Sequence, residues 1–375
     1  MVVILAILIG ILILLFLVFI HEFGHFAMAK FFKIKVEEFG FGFPPRAWGK
    51  KIGETIYSIN WIPAGGFVRL LGEEEEVEDP RSFSKKPPLI RSSVVAAGVV
   101  INFLLAVFLF YLILGFSGFK FEFDQTTVKN KFIFGKQENF TVITLVSGNS
   151  PAQVAGIKVG DKVISGNDIR IESLDEFKSF IDSNLGHEIS LLVQNIEERQ
   201  PRTVKVIPRV DPPEGEGPLG VGLGFDIAQV SYEKPIDKVF SGFMHAANNL
   251  QFQAVAIKSL ISKSVAEKTA QPLRENVAGP VGIVALIARF VGIGGFAAFG
   301  ALLSLTALIS LILAVVNILP IPALDGGRFF FILIEGITGQ RVNPKVERII
   351  HSSAFLVLLV LVILVAFNDI LNIFR

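Results

Sequence analysis

From Val2 to Ile20 the chain carries 19 consecutive residues that are apolar or Gly. A run of that length predicts a membrane-spanning helix. With the residues that follow, the first span covers about Val2 to Phe32. The same pattern returns from about Val94 to Phe116, opened by Arg91-Ser92-Ser93 and closed by Gly115 to Gly118. A third apolar block runs from Phe290 to Leu319, with the span proper at about Ala297 to Ile318. A fourth span runs from about Ser353 to Phe367. Ahead of the third, Arg289 and the Gly-rich Val291 to Gly295 interrupt the apolar pattern, so Gly279-Pro280-Val281-Gly282 leads into a short separate helix.

Between the spans the period changes. Phe39-Gly40-Phe41-Gly42-Phe43 alternates and meets Pro44-Pro45; Thr55 to Ile59 and Gly65 to Leu70 follow. Alternation bounded by turn residues predicts short hairpins across Glu38 to Leu71. A free edge in this β element, beside the site, would pair with an extended peptide strand. Glu73 to Asp79 reads as a solvated acidic loop. Further on, strands are predicted at Thr141–Val146, Gly160–Ile164, Ile189–Val193 and Thr203–Ile207. Short helices are predicted at Ser150–Gly156 and Leu174–Ser183, and Gly220 to Gly224 reads as a last strand. Ile236 to about Thr269 is amphipathic and helical, lying either on the membrane surface or against the neighbouring domain.

Composition agrees with this division. The 375 residues are 51% hydrophobic and 18% charged, and mean hydropathy is +0.59. That describes an integral membrane protein with soluble parts. A net charge of +1 gives a nucleic-acid role no support. The absence of Cys excludes disulfides, thiolate metal sites and Cys nucleophiles. The first 20 residues lack a basic n-region and a small-residue cleavage site, so the first span is expected to be permanent. Lys and Arg are absent before Lys30 but number 11 from Lys30 to Arg91, and Arg328, Arg341, Lys345 and Arg348 separate the third and fourth spans. The positive-inside rule then puts both termini outside, with the region from Lys120 to Leu273 extracytoplasmic. Four parts result: 1–119, 120–232, 233–278 and 279–375.

One stretch breaks the apolar pattern where charge is costly. His21-Glu22-Phe23-Gly24-His25 ends the first uncharged run, and Phe26 to Ala29 resume it. His21 and His25 are i and i+4, so a helix projects both from one face. Two imidazoles so placed can hold one zinc ion, with Glu22 beside them as a base toward water. The plain alternative is a helix end with interfacial histidines, which leaves the cost of burying ionisable groups unexplained. Without Cys, a third protein ligand must come from His or carboxylate. Asp325, in Asn317-Ile318-Leu319-Pro320-Ile321-Pro322-Ala323-Leu324-Asp325-Gly326-Gly327, is the uncompensated acid of the later apolar block. Pro320 and Pro322 must break the third helix near its inner end, at the depth of His21 and His25. Asn317 has two open roles: to bond a substrate carbonyl or developing oxyanion, or to satisfy carbonyls freed by the prolines. Asn102 reads as helix–helix glue, and His187, His245 and His351 as surface or structural groups.

These features together resemble the site-2 protease family of intramembrane zinc metalloproteases, most closely the bacterial regulator of sigma-E protease type. HEFGH in a first span and N-x-x-P-x-P-x-L-D-G-G after the third carry the resemblance, with Gly279-Pro280 matching a family element. The resemblance implies about four transmembrane helices, a membrane-associated β element on the cytoplasmic side and one extracytoplasmic PDZ-like α+β domain, where some members carry two. It implies Zn2+ on His21, His25 and Asp325, Glu22 as general base, Asn317 as a substrate-binding aid, and the Gly40–Phe43 stretch against the substrate. The implied substrate is a single-span membrane protein already trimmed outside, an anti-sigma factor or a remnant signal peptide, cut within the lipid bilayer of a bacterial inner membrane. A peptide tail at the PDZ-like domain is the further partner implied. The rival is a catalytically inactive membrane scaffold that uses that domain to bind peptides.

Overall fold

The computed structural model describes residues 2–73, 77–126, 128–195, 200–276 and 278–373. Two compact units make up the chain: residues 1–113 with 263–375, and residues 114–262. Of the expected acidic loop, residues 74–76 lie outside the described residues.

The first unit begins with α1, Val2–Phe31, a 30-residue helix that continues through the HEFGH motif. At ~1.5 Å per residue it is roughly 45 Å long, longer than the ~30 Å hydrocarbon core of a bilayer. Two long strands follow, β1 (Val36–Ile52) and β2 (Thr55–Leu70). The expected short hairpins are one folded ribbon instead. Residues Glu38 to Phe41 pair on one side with Arg69 to Gly66 and on the other with Ile56 to Ile59, while Arg46 to Ile52 pair with Asn60 to Thr55. Each strand therefore supplies two rows, in the order 46–52, 55–60, 36–41, 66–70. The buried Glu38 locks the ribbon by accepting from Ser58 Oγ (2.7 Å), Arg46 (2.6 Å) and Arg69 (3.4 Å). The chain then enters α2, Pro88–Phe116.

The second unit holds a seven-stranded sheet. Its strands are β3 (Lys120–Asp124), β4 (Lys136–Val146), β5 (Asp161–Gly166), β6 (Ile169–Arg170), β7 (Ile189–Asn195), β8 (Pro201–Val206) and β9 (Val221–Ser231). The order is β3-β9-β4-β5-β7-β8, with β6 paired to β5. Between strands lie α3, Pro151–Val154, and α4, Leu174–Asp182. Ser150 and Ser173 cap them, each hydroxyl accepting the backbone N–H three residues on. Ile143, Val163, Phe177, Ile189, Leu191 and Val193 form the core. The expected helix from Ile236 to Thr269 is divided at Phe240 into α5 (Pro235–Val239) and α6 (Ser241–Ala266). His245 and Asn248 of α6 are fully buried, and Tyr232 packs in a core with Phe123 and Phe132. The compact unit thus takes in a helix that the sequence pattern assigns to a separate linker.

The chain returns to the first unit through α7 (Gln271–Asn276) and α8 (Pro280–Ile293), a 14-residue apolar helix too short to span. Gly294 and Gly295, at φ 72 and 61, turn it into α9, Gly295–Ile318. Ala6 of α1, Ile287 of α8 and Leu305 of α9 share one buried cluster. After α9 come α10 (Asp325–Thr338) and α11 (Pro344–Ile373). Among the described residues, four helices are long and apolar enough to cross a membrane: Val2–Phe31, Pro88–Phe116, Gly295–Ile318 and Lys345–Leu371. Phe355, Leu356, Val357 and Leu364 of the last are largely exposed, as a lipid-facing surface requires.

Candidate metal centre

The C-terminal end of α9 shows how a proline pair delivers an acid. Leu319, ahead of Pro320, is forced out of the helical region to φ −63, ψ 143, and the helix stops. Ala323 then adopts φ 81, left-handed backbone that a non-Gly residue rarely takes. Its N–H is held by His351 Nδ1 at 3.0 Å. Asp325 opens α10 directly after this turn. A Cβ at Gly326 would lie 2.0 Å from Leu319 O, and one at Gly327 would lie 2.5 Å from Ile321 O. Both glycines of the motif are therefore required for α10 to start against the broken segment. Arg328 pairs with Glu73, and the buried Arg91 of α2 pairs with Glu335, fixing α10 further.

This turn brings Asp325 to the two histidines 304 and 300 residues earlier. Asp325 Oδ2 lies 2.8 Å from His21 Nε2 and 3.2 Å from His25 Nε2, and the two Nε2 atoms are 3.2 Å apart. Three donors that each sit ~2.0–2.1 Å from one tetrahedral zinc ion are about 3.3 Å from one another. The observed triangle fits that ion after an expansion of a few tenths of an ångström. The donor set, two imidazole nitrogens and one carboxylate oxygen, suits zinc and leaves a fourth position open. Among the described residues this is the one cluster of three His or acidic groups with ligand atoms so placed. His25 Nδ1 donates to Val94 O at 2.8 Å, and His21 Nδ1 is 3.3 Å from the Asn102 carboxamide.

A cavity of about 250 Å³ adjoins the triangle, lined by Glu22, Asn317, Phe43, Gly65 and Gly66 as well as His21 and Asp325. Of the residues expected at the site, the structure brings together His21, Glu22, His25, Asp325, Asn317 and Phe43. Gly40, Phe41 and Gly42 are not in its lining. Their row is filled on both sides by β2 from Gly40 to Phe41, and Gly42 O accepts from Asn60 Nδ2 at 2.9 Å. The free edge of the ribbon is the row at 66–70, which among the described residues pairs on one side only. Gly66 is its near end: a Cβ there would lie 3.2 Å from Glu22 Cγ. Alternation alone does not reveal which row is outermost, so the sequence pattern leaves the edge unplaced within Gly40 to Gly72. His351 is structural, as expected, and so is the buried His245; His187 is exposed and near Leu185 O.

Residues 9–361 match the model of peptidase family M50. The chain belongs to the M50 peptidases, the site-2 protease family. A Clostridium perfringens protein provisionally named a zinc metalloprotease is 32% identical over 357 residues, covering 95% of each chain. A similarly named Fusobacterium nucleatum protein is 32% identical, covering 98% of this chain and 99% of its own. The zinc metalloprotease RasP of Shouchella clausii is 26% identical, covering 96% and 97%. This M50 member is accordingly a zinc-dependent membrane metalloprotease, and the hydrolytic activity and metal anticipated from HEFGH and LDGG stand.

Proposed function

We propose that the chain hydrolyses a peptide bond in or near the transmembrane segment of a single-span membrane protein, with His21, His25 and Asp325 holding the zinc. One observation carries the reading: the three ligand atoms converge beside a cavity that Glu22 also lines, at the end of an uncharged span. Zinc held there supplies Lewis acidity toward the scissile carbonyl and the attacking water. Glu22 is the general base: its carboxylate takes the proton from water and returns it to the leaving amine nitrogen. Asn317 donates its amide N–H to a substrate carbonyl. The 66–70 edge pairs with the substrate, which must be extended because a helix hides its carbonyls. Phe43 lines the same cavity, its ring beside Gly65.

The sheet of the second unit reads as the PDZ-like domain. A cavity of about 400 Å³ between α4 and β9, lined by Phe177, Ile181, Leu219 and Val221, suits an apolar peptide tail. The basic segments support an inner-membrane topology with both termini extracytoplasmic and the metal centre toward the cytoplasm. A substrate already trimmed on its outer side, an anti-sigma factor or a remnant signal peptide, fits regulated intramembrane proteolysis.

The test is Glu22→Gln in membranes with a tagged single-span substrate. Cleavage is expected to fall at least ~100-fold with zinc content retained. Full cleavage by that variant would falsify the role of Glu22, and the inactive-scaffold reading requires that wild-type protein also leave the substrate intact.

A further inference from the structure

Three positions of α2 face the ligand imidazoles, and they are four residues apart: Val94, Gly98 and Asn102. Residues i, i+4 and i+8 share one side of a helix. At the first, a carbonyl oxygen accepts from His25 Nδ1, so that proton is fixed on Nδ1 and Nε2 keeps its lone pair for a metal. At the second, the missing side chain leaves room for both rings; a Cβ would lie 2.5 Å from His25 Nε2. At the third, the carboxamide of Asn102, which has no exposed surface, lies 3.3 Å from His21 Nδ1.

The arrangement of that carboxamide is informative. Its nitrogen faces the ring, while its buried Oδ1 has no hydrogen-bond partner among the described residues. A half-turn exchanges the two atoms at almost no change in shape. Oδ1 then accepts from Nδ1–H of His21, which leaves Nε2 unprotonated, the tautomer that binds a metal. The backbone of the same residue is anchored, since Ser310 Oγ of α9 donates to Asn102 O at 2.8 Å.

We infer that Asn102 is a positioning residue of the metal centre: its carboxamide oxygen holds the tautomer and ring plane of His21, as the Val94 carbonyl does for His25. The inference rests on the proposal that His21 is a zinc ligand. A residue that only joined helices would be indifferent to which amide atom faces the ring.

The experiment is zinc affinity of the purified full chain in detergent, measured by competition with a chromogenic chelator. Thermal unfolding of the metal-free protein is measured beside it, so that stability and affinity are read separately. Asn102→Leu is expected to weaken zinc binding about 10- to 100-fold, whereas Asn102→Asp, which keeps an acceptor in place, stays within about threefold of wild type. Where Asn102→Leu does not yield folded protein, Asn102→Ala is read by the same criterion. An apolar variant that binds zinc like wild type, or an Asn102→Asp variant that loses affinity with it, overturns the inference. His21→Ala separates the two layers: if it retains wild-type affinity, the ligand assignment has failed, and the role of Asn102 with it.

Discussion

A methyl group at Gly98 would sit 2.5 Å from His25 Nε2 and 2.8 Å from His21 Nε2, in space that the imidazoles occupy. Gly98→Ala must therefore push one ring off the ligand triangle. We expect it to lose zinc on gel filtration, with at least ~10-fold weaker binding, while Gly300→Ala, which meets nothing within 4 Å, keeps its metal. His21, Glu22 and His25 were legible in the sequence because their relation is local: four residues of helix fix it. Asp325 was legible because two prolines and two glycines around one acid leave few backbone shapes. Gly98 and Asn102 were not, since their meaning depends on which side of α2 turns toward α1, and an apolar span carries no such mark. A small and a polar residue four apart on an otherwise apolar helix are the available signal.

At the scale of elements, the proposed substrate edge is set by how the strands pair. Period-two alternation marks β1 and β2 as strands, but the outermost row follows from long-range pairing that it does not encode. Gly66→Val would put bulk against Glu22 and the Gly40 carbonyl. Cleavage should drop roughly 10- to 100-fold through misplacement of the reacting groups, with zinc content unchanged. Loss of zinc in that variant would place the defect in the metal corner instead. A second element-scale contact joins α8 and α11. Asp369 Oδ1 accepts from Gly279 N–H (3.1 Å) and Oδ2 from Gly282 N–H (2.8 Å), capping the start of α8 from another helix. Asp369→Ala should cost about 1–2 kcal/mol, read as faster amide exchange across Pro280–Ile293 than across α9. Equal protection in wild type and variant would remove Asp369 as the cap.

At the scale of the whole molecule the four spans and the sheet-bearing region match the sequence pattern closely, because lipid demands long apolar helices and gives them an unmistakable signature. The division into units was less legible: α6 has mixed amphipathicity, and only its packing assigns His245 to a core. Burial pushes the His245 imidazole down to about 3. The unfolded chain takes up a proton below ~6.5 while the folded one does not until near that lower value, so stability rises with pH across the window. Between pH 7 and 5 the second unit should lose about 2 kcal/mol, and His245→Phe should flatten that dependence; an unchanged slope in urea unfolding at the two pH values would rule it out. The first unit has a different peculiarity: its two sequence halves flank the second, and the metal corner closes only when Asp325 meets a histidine 304 residues earlier. At ~5–20 residues per second, a ribosome needs roughly 15 to 60 s to travel from one to the other. During that interval, with Asp325 as the proposed third ligand, the nascent chain carries His21, Glu22 and His25 but lacks the carboxylate that completes the triangle. On the proposed ligand assignment, the peptidase stays inert until Asp325 has been made, a delay set by chain synthesis alone.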